Sequence, residues 1–239
     1  MKSSSGYTEF VDRCRLSGRL WLRSLQVLAV TLLLLLLMLP IGSSANAAVP
    51  ASGGGGGAHV YLLRGVLNIF SLGLDDIAAK LQAQGIPVTV VNYLSWSSLA
   101  DEAAAEYRSG RVRTIVLVGH SSGATVLPDM VARLDQLGAP VKLAIGLDSV
   151  FRTSLAGRVG RYINFYIGNG NGEPVARTNQ LRGSLENVNV QNVPGVGHIT
   201  IDKNEIIQRK VISAIDAVAF GSRPREASAA QKPETSVAR

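Results

Sequence analysis

The sequence predicts an α/β fold: a mostly parallel six-stranded sheet with helices on both faces. Six short segments rich in Val, Ile and Leu recur along residues 58–220, and helix-like amphipathic segments separate most of them. Continuous apolar strands that alternate with helices are typical of a parallel sheet covered on both faces. A G-x-S-x-G sequence joins the third of these strands to the helix-like segment that follows it.

The elements follow one another with clear boundaries. Gly85-Ile86-Pro87 and Gly138-Ala139-Pro140 each end a helix and begin a strand, because glycine is favoured just past a helix end and proline cannot continue the helix. Residues 148–161 and 168–184 are polar and glycine-rich, so we expect loops at strand ends, where an open α/β fold builds its site. The predicted strands are residues 59–63, 88–91, 114–118, 141–147, 162–167 and 188–193, and the predicted helices are residues 74–84, 99–108, 124–137 and 204–219.

The first 47 residues are predicted to be an export signal. Basic residues precede an apolar run over residues 25–39, which ends at Pro40 before a string of small residues. This order is typical of a secretory signal, here with cleavage after Ala47. The alternative is an uncleaved anchor over residues 25–42, which would associate the protein with the inner membrane. In either case the remainder is expected to be exported, either periplasmic or secreted.

Two further segments are predicted to lie outside the folded domain. Residues 48–57 contain five consecutive glycines, which makes them too flexible for a packed element. Residues 221–239 are rich in Ala, Ser, Pro and charge without an apolar period, which predicts a disordered tail. The folded domain therefore spans residues 58–220.

Composition argues against several classes of function. The formal charge is +7, but residues 1–47 and 221–239 carry most of it and leave the domain near +2. Without basic runs and with few aromatic residues in the domain, we expect no nucleic-acid partner. The one cysteine, Cys14, lies in the predicted signal, so disulfides and thiol chemistry are not expected. Because His59, His120 and His198 lack ligand-like spacing, we expect no metal and no other cofactor.

The segment Gly119-His120-Ser121-Ser122-Gly123 matches G-x-S-x-G directly between a predicted strand and a predicted helix. A serine on such a sharp turn needs strained backbone angles, and flanking glycines remove β-carbons that would clash. The helix start supplies N–H groups near a developing oxyanion. Ser121 is therefore the predicted nucleophile, with a structural Gly/Ser turn as the alternative.

This segment, placed after the third predicted strand, resembles the α/β-hydrolase family, and the resemblance extends over about residues 58–219. It implies a minimal α/β-hydrolase fold without a large lid. Serine is a poor nucleophile without an adjacent base, and His198 lies where the family carries its catalytic histidine, between the last strand and the last helix. His120, inside the elbow, is expected to pack beside Ser121 and is assigned to substrate binding.

Asp148 is the first choice for the carboxylate that orients the histidine, because it ends the strand after the nucleophile helix. The family more often carries its acid one strand later, where this sequence offers Glu173, the second choice. Either residue satisfies the chain order serine, acid, histidine. Asp202 is instead predicted to cap the last helix, with Glu205 completing a capping box.

The resemblance also implies an oxyanion hole. One N–H comes from the residue after the nucleophile, Ser122, and the other from the loop after the first strand. In that loop Arg64-Gly65 looks similar to the family's frequent His-Gly pair, so Val66 is the predicted donor and Leu67 the alternative.

Arg64 and Leu67 are also assigned to substrate binding. Arg64 has two interpretations: it binds an anionic group of the substrate, or it pairs with Asp75 or Asp76.

The leading hypothesis is hydrolysis of a carboxylic ester, or of a thioester or amide, through an acyl-enzyme on Ser121. The expected substrate is a small-molecule or lipid-like ester, reached in an open cleft lined by the two glycine-rich loops. One alternative is a non-catalytic binding or accessory protein of the cell envelope that keeps a hydrolase scaffold. Another is an enzyme that acts on membrane lipid head groups.

Overall fold

The computed structural model describes residues 57–66, 68, 71–170 and 172–221. The predicted export signal, nearly all of the linker and of the tail, and Leu67 lie outside these ranges. In the part of the chain that is described, no helix has both the length and the apolar character needed to cross a membrane.

Six described strands form one sheet in which every pair of neighbours is parallel. The predicted fold class is therefore confirmed. The strand order β2-β1-β3-β4-β5-β6 reverses direction between β1 and β3, and at such a reversal the strand ends form a crevice that binds ligands in open α/β folds. The strands are β1 Ala58–Arg64, β2 Val88–Asn92, β3 Thr114–His120, β4 Val141–Leu147, β5 Ser154–Tyr166 and β6 Ala176–Asn189.

Helices cover both faces of the sheet, as predicted. Successive strand residues point to opposite faces, and β1 shows the consequence. Its residues Val60 and Leu62 join a core with α1 and α4, whereas Tyr61 and Leu63 join a second core with α2 and α3. The described helices are α1 Gly73–Ala83, α2 Trp96–Arg108, α3 Ser122–Gln136 and α4 Glu205–Ala219.

The glycine boundaries between helices and strands are confirmed. Gly85 follows α1 with φ +80°, and Gly138 follows α3 with φ +73°. Both φ angles lie in the left-handed region that commonly follows a helix end. Only glycine adopts this region without a steric cost.

The bounds predicted for the last two strands were wrong. β5 begins at Ser154, well before residue 162, and β6 spans Ala176–Asn189 instead of residues 188–193. β4 pairs with β5 only from Val159 onward, so residues 154–158 pair with β6 alone. At Gly157 a β-carbon would lie 3.2 Å from the Cα of Ala132, which places this extension against α3.

The sequence does not reveal the true bounds of β6 because β6 is an edge strand with most of its side chains in solvent. Within it only Leu181 is buried, and the other positions are largely polar or charged. Backbone pairing does not require an apolar side chain, so such a strand has no apolar period to detect. Of the predicted loops, residues 148–153, 168–170 and 172–175 lie outside the described strands.

The capping prediction for α4 was also wrong. Asn204 is the cap, because its Oδ1 accepts the N–H groups of Ile206 and Ile207 at 3.0 and 3.3 Å. Asp202 is fully buried, and its Oδ2 accepts the N–H of Gly73, the first residue of α1, at 2.8 Å. Burial raises the pKa of Asp202 above its ordinary value.

Candidate active site

Ser121 lies on a strained turn between β3 and α3. Its backbone angles are φ 59° and ψ −123°, a conformation that is costly for a residue with a β-carbon. Two glycines permit it: a β-carbon at Gly119 would lie 2.4 Å from the Gly123 carbonyl oxygen, and one at Gly123 would lie 2.0 Å from the Leu63 carbonyl oxygen. These are the strain and the close packing expected of a nucleophile elbow.

The Ser121 hydroxyl is hydrogen-bonded to His198, which lies in the loop between β6 and α4. Ser121 Oγ is 3.0 Å from His198 Nε2, and His198 Nδ1 is 2.7 Å from Asp148 Oδ2. Because a carboxylate only accepts hydrogen bonds, Nδ1 carries the imidazole proton and Nε2 is left to accept from the serine. The structure thus brings together the predicted nucleophile, base and first-choice acid.

Asp148 is held on several sides. It is fully buried with a left-handed φ of 50°, and its Oδ1 accepts the N–H of Ile167 at 3.0 Å. Both carboxylate oxygens therefore have partners, as burial of a charge requires. Gly172 packs directly against the group, because a β-carbon there would lie 1.9 Å from Asp148 Oδ1. A larger residue at position 172 would displace the carboxylate.

Glu173, the second-choice acid, has a different partner. Its Oε2 accepts a hydrogen bond from Arg152 Nε at 2.6 Å, and the two side chains are 44% and 79% exposed. Exposed pairs of this kind contribute about 0–1 kcal/mol. No hydrogen bond or ion pair joins Glu173 to His198, although both residues are described.

The loop after β1 approaches Ser121 closely. A β-carbon at Gly65 would lie 2.9 Å from Ser121 Cβ and 3.2 Å from its Oγ. The Gly65 N–H donates to Ser71 Oγ at 3.0 Å, and the Gly65 carbonyl oxygen accepts from Asn92 Nδ2 at 3.2 Å. Both backbone polar groups of Gly65 are therefore engaged, and the next N–H along the loop belongs to Val66.

The two predicted oxyanion donors lie on segments that flank Ser121. Val66 follows Gly65, and Ser122 is the first residue of α3. N–H groups in the first turn of a helix have no acceptor within the helix, and the helix dipole favours negative charge there.

The three residues assigned to substrate binding have different outcomes. The Arg64 guanidinium pairs with Asp75 in the first turn of α1, as one of its two interpretations proposed. Leu67 lies outside the described residues and stays a prediction. The assignment of His120 was wrong: it is fully buried, with Nδ1 2.8 Å from Ser71 Oγ and Nε2 2.8 Å from the His198 carbonyl oxygen. Burial lowers the pKa of His120 below its ordinary value.

The third histidine lies at the opposite end of the sheet. His59 is near the amino end of β1, where its ring stacks on Tyr61 with centroids 4.3 Å apart and bonds Thr89 Oγ1 at 2.9 Å. Over the described ranges, no three His, Cys, Asp or Glu side chains are grouped so that they could hold a metal ion.

An all-parallel sheet with a strained serine at its reversal point defines an α/β-hydrolase-type fold. No family model matches the sequence, and no curated protein does. Among solved structures, the product of gene lin2722 from Listeria innocua is 11% identical, with a TM-score of 0.46 over 71% of this chain and 96% of that chain. An acetylxylan esterase is 14% identical, with a TM-score of 0.42 over 68% of this chain and 98% of that chain. RedJ with a PEG molecule bound in its active site is 13% identical, with a TM-score of 0.45 over 74% and 94%. Likeness at these identities concerns the fold alone.

Proposed function

We propose that the protein is a serine hydrolase that cleaves a carboxylic ester through an acyl-enzyme on Ser121. The observation that carries the proposal is the continuous hydrogen-bonded chain from Asp148 through His198 to the Ser121 hydroxyl. A serine hydroxyl becomes a useful nucleophile only when a base accepts its proton. The buried Asp148 carboxylate fixes the imidazole tautomer and stabilises the imidazolium that forms.

The reaction follows from these contacts. Ser121 Oγ attacks the ester carbonyl carbon while His198 Nε2 takes the hydroxyl proton. The N–H groups of Val66 and Ser122 stabilise the oxyanion, a contribution of about 10²–10³-fold in rate for one such donor. His198 then gives its proton to the departing alcohol. In the second half, water attacks the acyl carbon and His198 takes a water proton. His198 then returns the proton to Ser121 Oγ as the bond from Oγ to the acyl carbon breaks, and the carboxylic acid leaves.

The surroundings of the site favour an ester with an apolar group. Three exposed apolar side chains adjoin the catalytic segments: Val66 after Gly65, Ile199 after His198, and Phe151 just beyond Asp148. We call Val66, Phe151 and Ile199 the apolar rim; they are 49%, 69% and 54% exposed. Isolated surface hydrophobes are ordinary, but each of these three lies within three residues of a proposed catalytic residue or is a proposed oxyanion donor, and we infer that they contact the substrate. The non-catalytic alternative does not account for the hydrogen-bonded chain from Asp148 to Ser121.

A panel of p-nitrophenyl esters from acetate to decanoate tests the function and the rim together. We expect turnover of the panel, with kcat/KM rising with acyl length. Phe151→Ser should lower kcat/KM for decanoate by about 10-fold, since burying an aromatic side chain against the substrate contributes about 1.5–3 kcal/mol.

Phe151→Leu is the matched control, because it keeps an apolar side chain and should keep most of the chain-length preference. Absence of turnover for every ester by the folded wild-type protein would overturn the proposed function. If turnover does not depend on chain length and Phe151→Ser does not change it, the apolar rim does not contact the substrate.

A further inference from the structure

His120, which the mechanism above does not use, connects two loops of the site. Its Nδ1 lies 2.8 Å from Ser71 Oγ, and its Nε2 lies 2.8 Å from the carbonyl oxygen of His198. Ser71 Oγ also accepts the Gly65 N–H at 3.0 Å. The result is a second hydrogen-bonded chain, from Gly65 through Ser71 and His120 to the backbone of His198. Ser71 and His120 are both fully buried.

The proton positions in this chain follow from its ends. The His198 carbonyl oxygen can only accept, so His120 Nε2 must carry the proton. In a neutral imidazole the other nitrogen is then an acceptor, so the Ser71 hydroxyl donates to Nδ1. The Ser71 oxygen keeps a lone pair for the Gly65 N–H. All three hydrogen bonds are satisfied in one arrangement, with His120 neutral, which agrees with the lowering of its pKa by burial.

This second hydrogen-bonded chain ends at two segments of the proposed catalytic site. Gly65 immediately precedes Val66, the proposed oxyanion donor, and His198 is the proposed base. Asp148 holds the His198 side chain through Nδ1, whereas His120 holds its main chain through the carbonyl oxygen. His198 is therefore held at its ring by Asp148 and at its main chain by His120, and the hydrogen-bonded chain through His120 also reaches the oxyanion loop.

We propose that Ser71 and His120 are positioning residues that hold the oxyanion loop and the His198 backbone in place around Ser121. This inference rests on the proposed function, because it assigns a purpose to the two loops in ester hydrolysis. Neither residue touches the reacting atoms. Their effect comes from geometry, since displacement of a reacting group by about 1 Å can cost about 10²-fold in rate.

Two substitutions of His120 separate its hydrogen bond with Ser71 from its hydrogen bond with the His198 backbone. In His120→Gln the amide nitrogen reaches toward the Nε2 position and keeps a donor for the His198 carbonyl oxygen. In His120→Asn the shorter side chain leaves an amide oxygen near the Nδ1 position and keeps an acceptor for Ser71. Ser71→Ala removes both hydrogen bonds of the Ser71 hydroxyl, to the Gly65 N–H and to His120 Nδ1, and leaves the bond from His120 to the His198 carbonyl oxygen.

We expect each folded variant to lose about 10-fold or more in kcat for p-nitrophenyl acetate with KM changed by less than about twofold, since geometry rather than binding is affected. His120→Gln breaks one of the two hydrogen bonds that Ser71→Ala removes, so the double variant should be no worse than Ser71→Ala alone. Ser71→Ala combined with His120→Asn breaks both links and should be worse than either. Residues that act through one contact are non-additive in this way.

A background variant separates positioning from a general loss of stability. In His198→Ala the base is absent, so adding His120→Asn should leave the residual rate unchanged, whereas a damaged fold would lower it further. Melting temperatures show which variants are folded; if the His120 variants are not, Ser71→Ala still tests the Ser71 link.

Failure of this inference can be distinguished from failure of the proposed function. Wild-type turnover that disappears in Ser121→Ala establishes the function first, and wild-type protein without turnover overturns the function and this inference with it. With an active wild type, the inference is supported by the pattern above. It is overturned if Ser71→Ala and the folded His120 variants keep kcat within about twofold, or if His120→Asn lowers the residual rate of His198→Ala.

Discussion

Replacement of His198 by alanine is expected to lower kcat for ester hydrolysis by about 10⁴–10⁶-fold, as removal of a catalytic base does. Without the imidazole, the Ser121 hydroxyl has no acceptor at the 3.0 Å position now held by Nε2. The fold should remain intact because His198 lies in a loop with its side chain 26% exposed, so no large cavity is created. Turnover of p-nitrophenyl acetate and the thermal melting temperature measure the two effects.

His59→Ala is the control for this substitution, since it removes a histidine at the opposite end of the sheet and should leave kcat unchanged. A folded His198→Ala protein that keeps more than a tenth of the wild-type rate would show that another group serves as the base.

Substitution of Asp148 by asparagine is expected to cost about 10⁴-fold in kcat. The aspartate accepts two hydrogen bonds, from Ile167 N–H and from His198 Nδ1, but asparagine has one oxygen. If that oxygen stays with Ile167, the amide NH₂ faces Nδ1 and forces the imidazole proton onto Nε2. The ring then cannot accept the proton of Ser121. Steady-state kinetics on the purified variant measure the loss.

Glu173→Gln is the matched control, because it neutralises the second-choice carboxylate, which pairs with Arg152 at the surface. We expect its kcat to stay within about twofold of wild type, the small effect typical of an exposed ion pair. The reverse ranking of the two variants would transfer the role of the acid to Glu173.

Much of the fold and the site could be predicted because the informative signals are local. The apolar strands, the glycine ends of α1 and α3, and the glycines around Ser121 each follow from a few neighbouring residues. In a parallel sheet the carboxyl ends of the strands share one edge. Ser121 and Asp148, which follow adjacent strands, were therefore expected to meet. His198 was placed by the family resemblance, which locates it after the last strand.

The parts that could not be predicted depend on contacts without a local pattern. β6 was misplaced because an exposed edge strand shows no apolar period. The partners of His120 were missed because Ser71 lies 49 residues away in sequence, in a loop without periodicity. One signal was available: the period-two alternation of β3 puts His120 on the same face as Val116 and Val118, which are fully buried. A histidine on that face had to be buried with partners of its own.

The most direct test of the central claim, that Ser121 is an activated nucleophile, is covalent labelling with a fluorophosphonate followed by mass spectrometry. The probe phosphonylates a serine whose proton is taken by a neighbouring base. We expect one adduct per protein, located on Ser121, and no adduct in the folded Ser121→Ala variant. A folded wild-type protein that is not labelled, or a label that persists in Ser121→Ala, would contradict the assignment of Ser121 as the nucleophile.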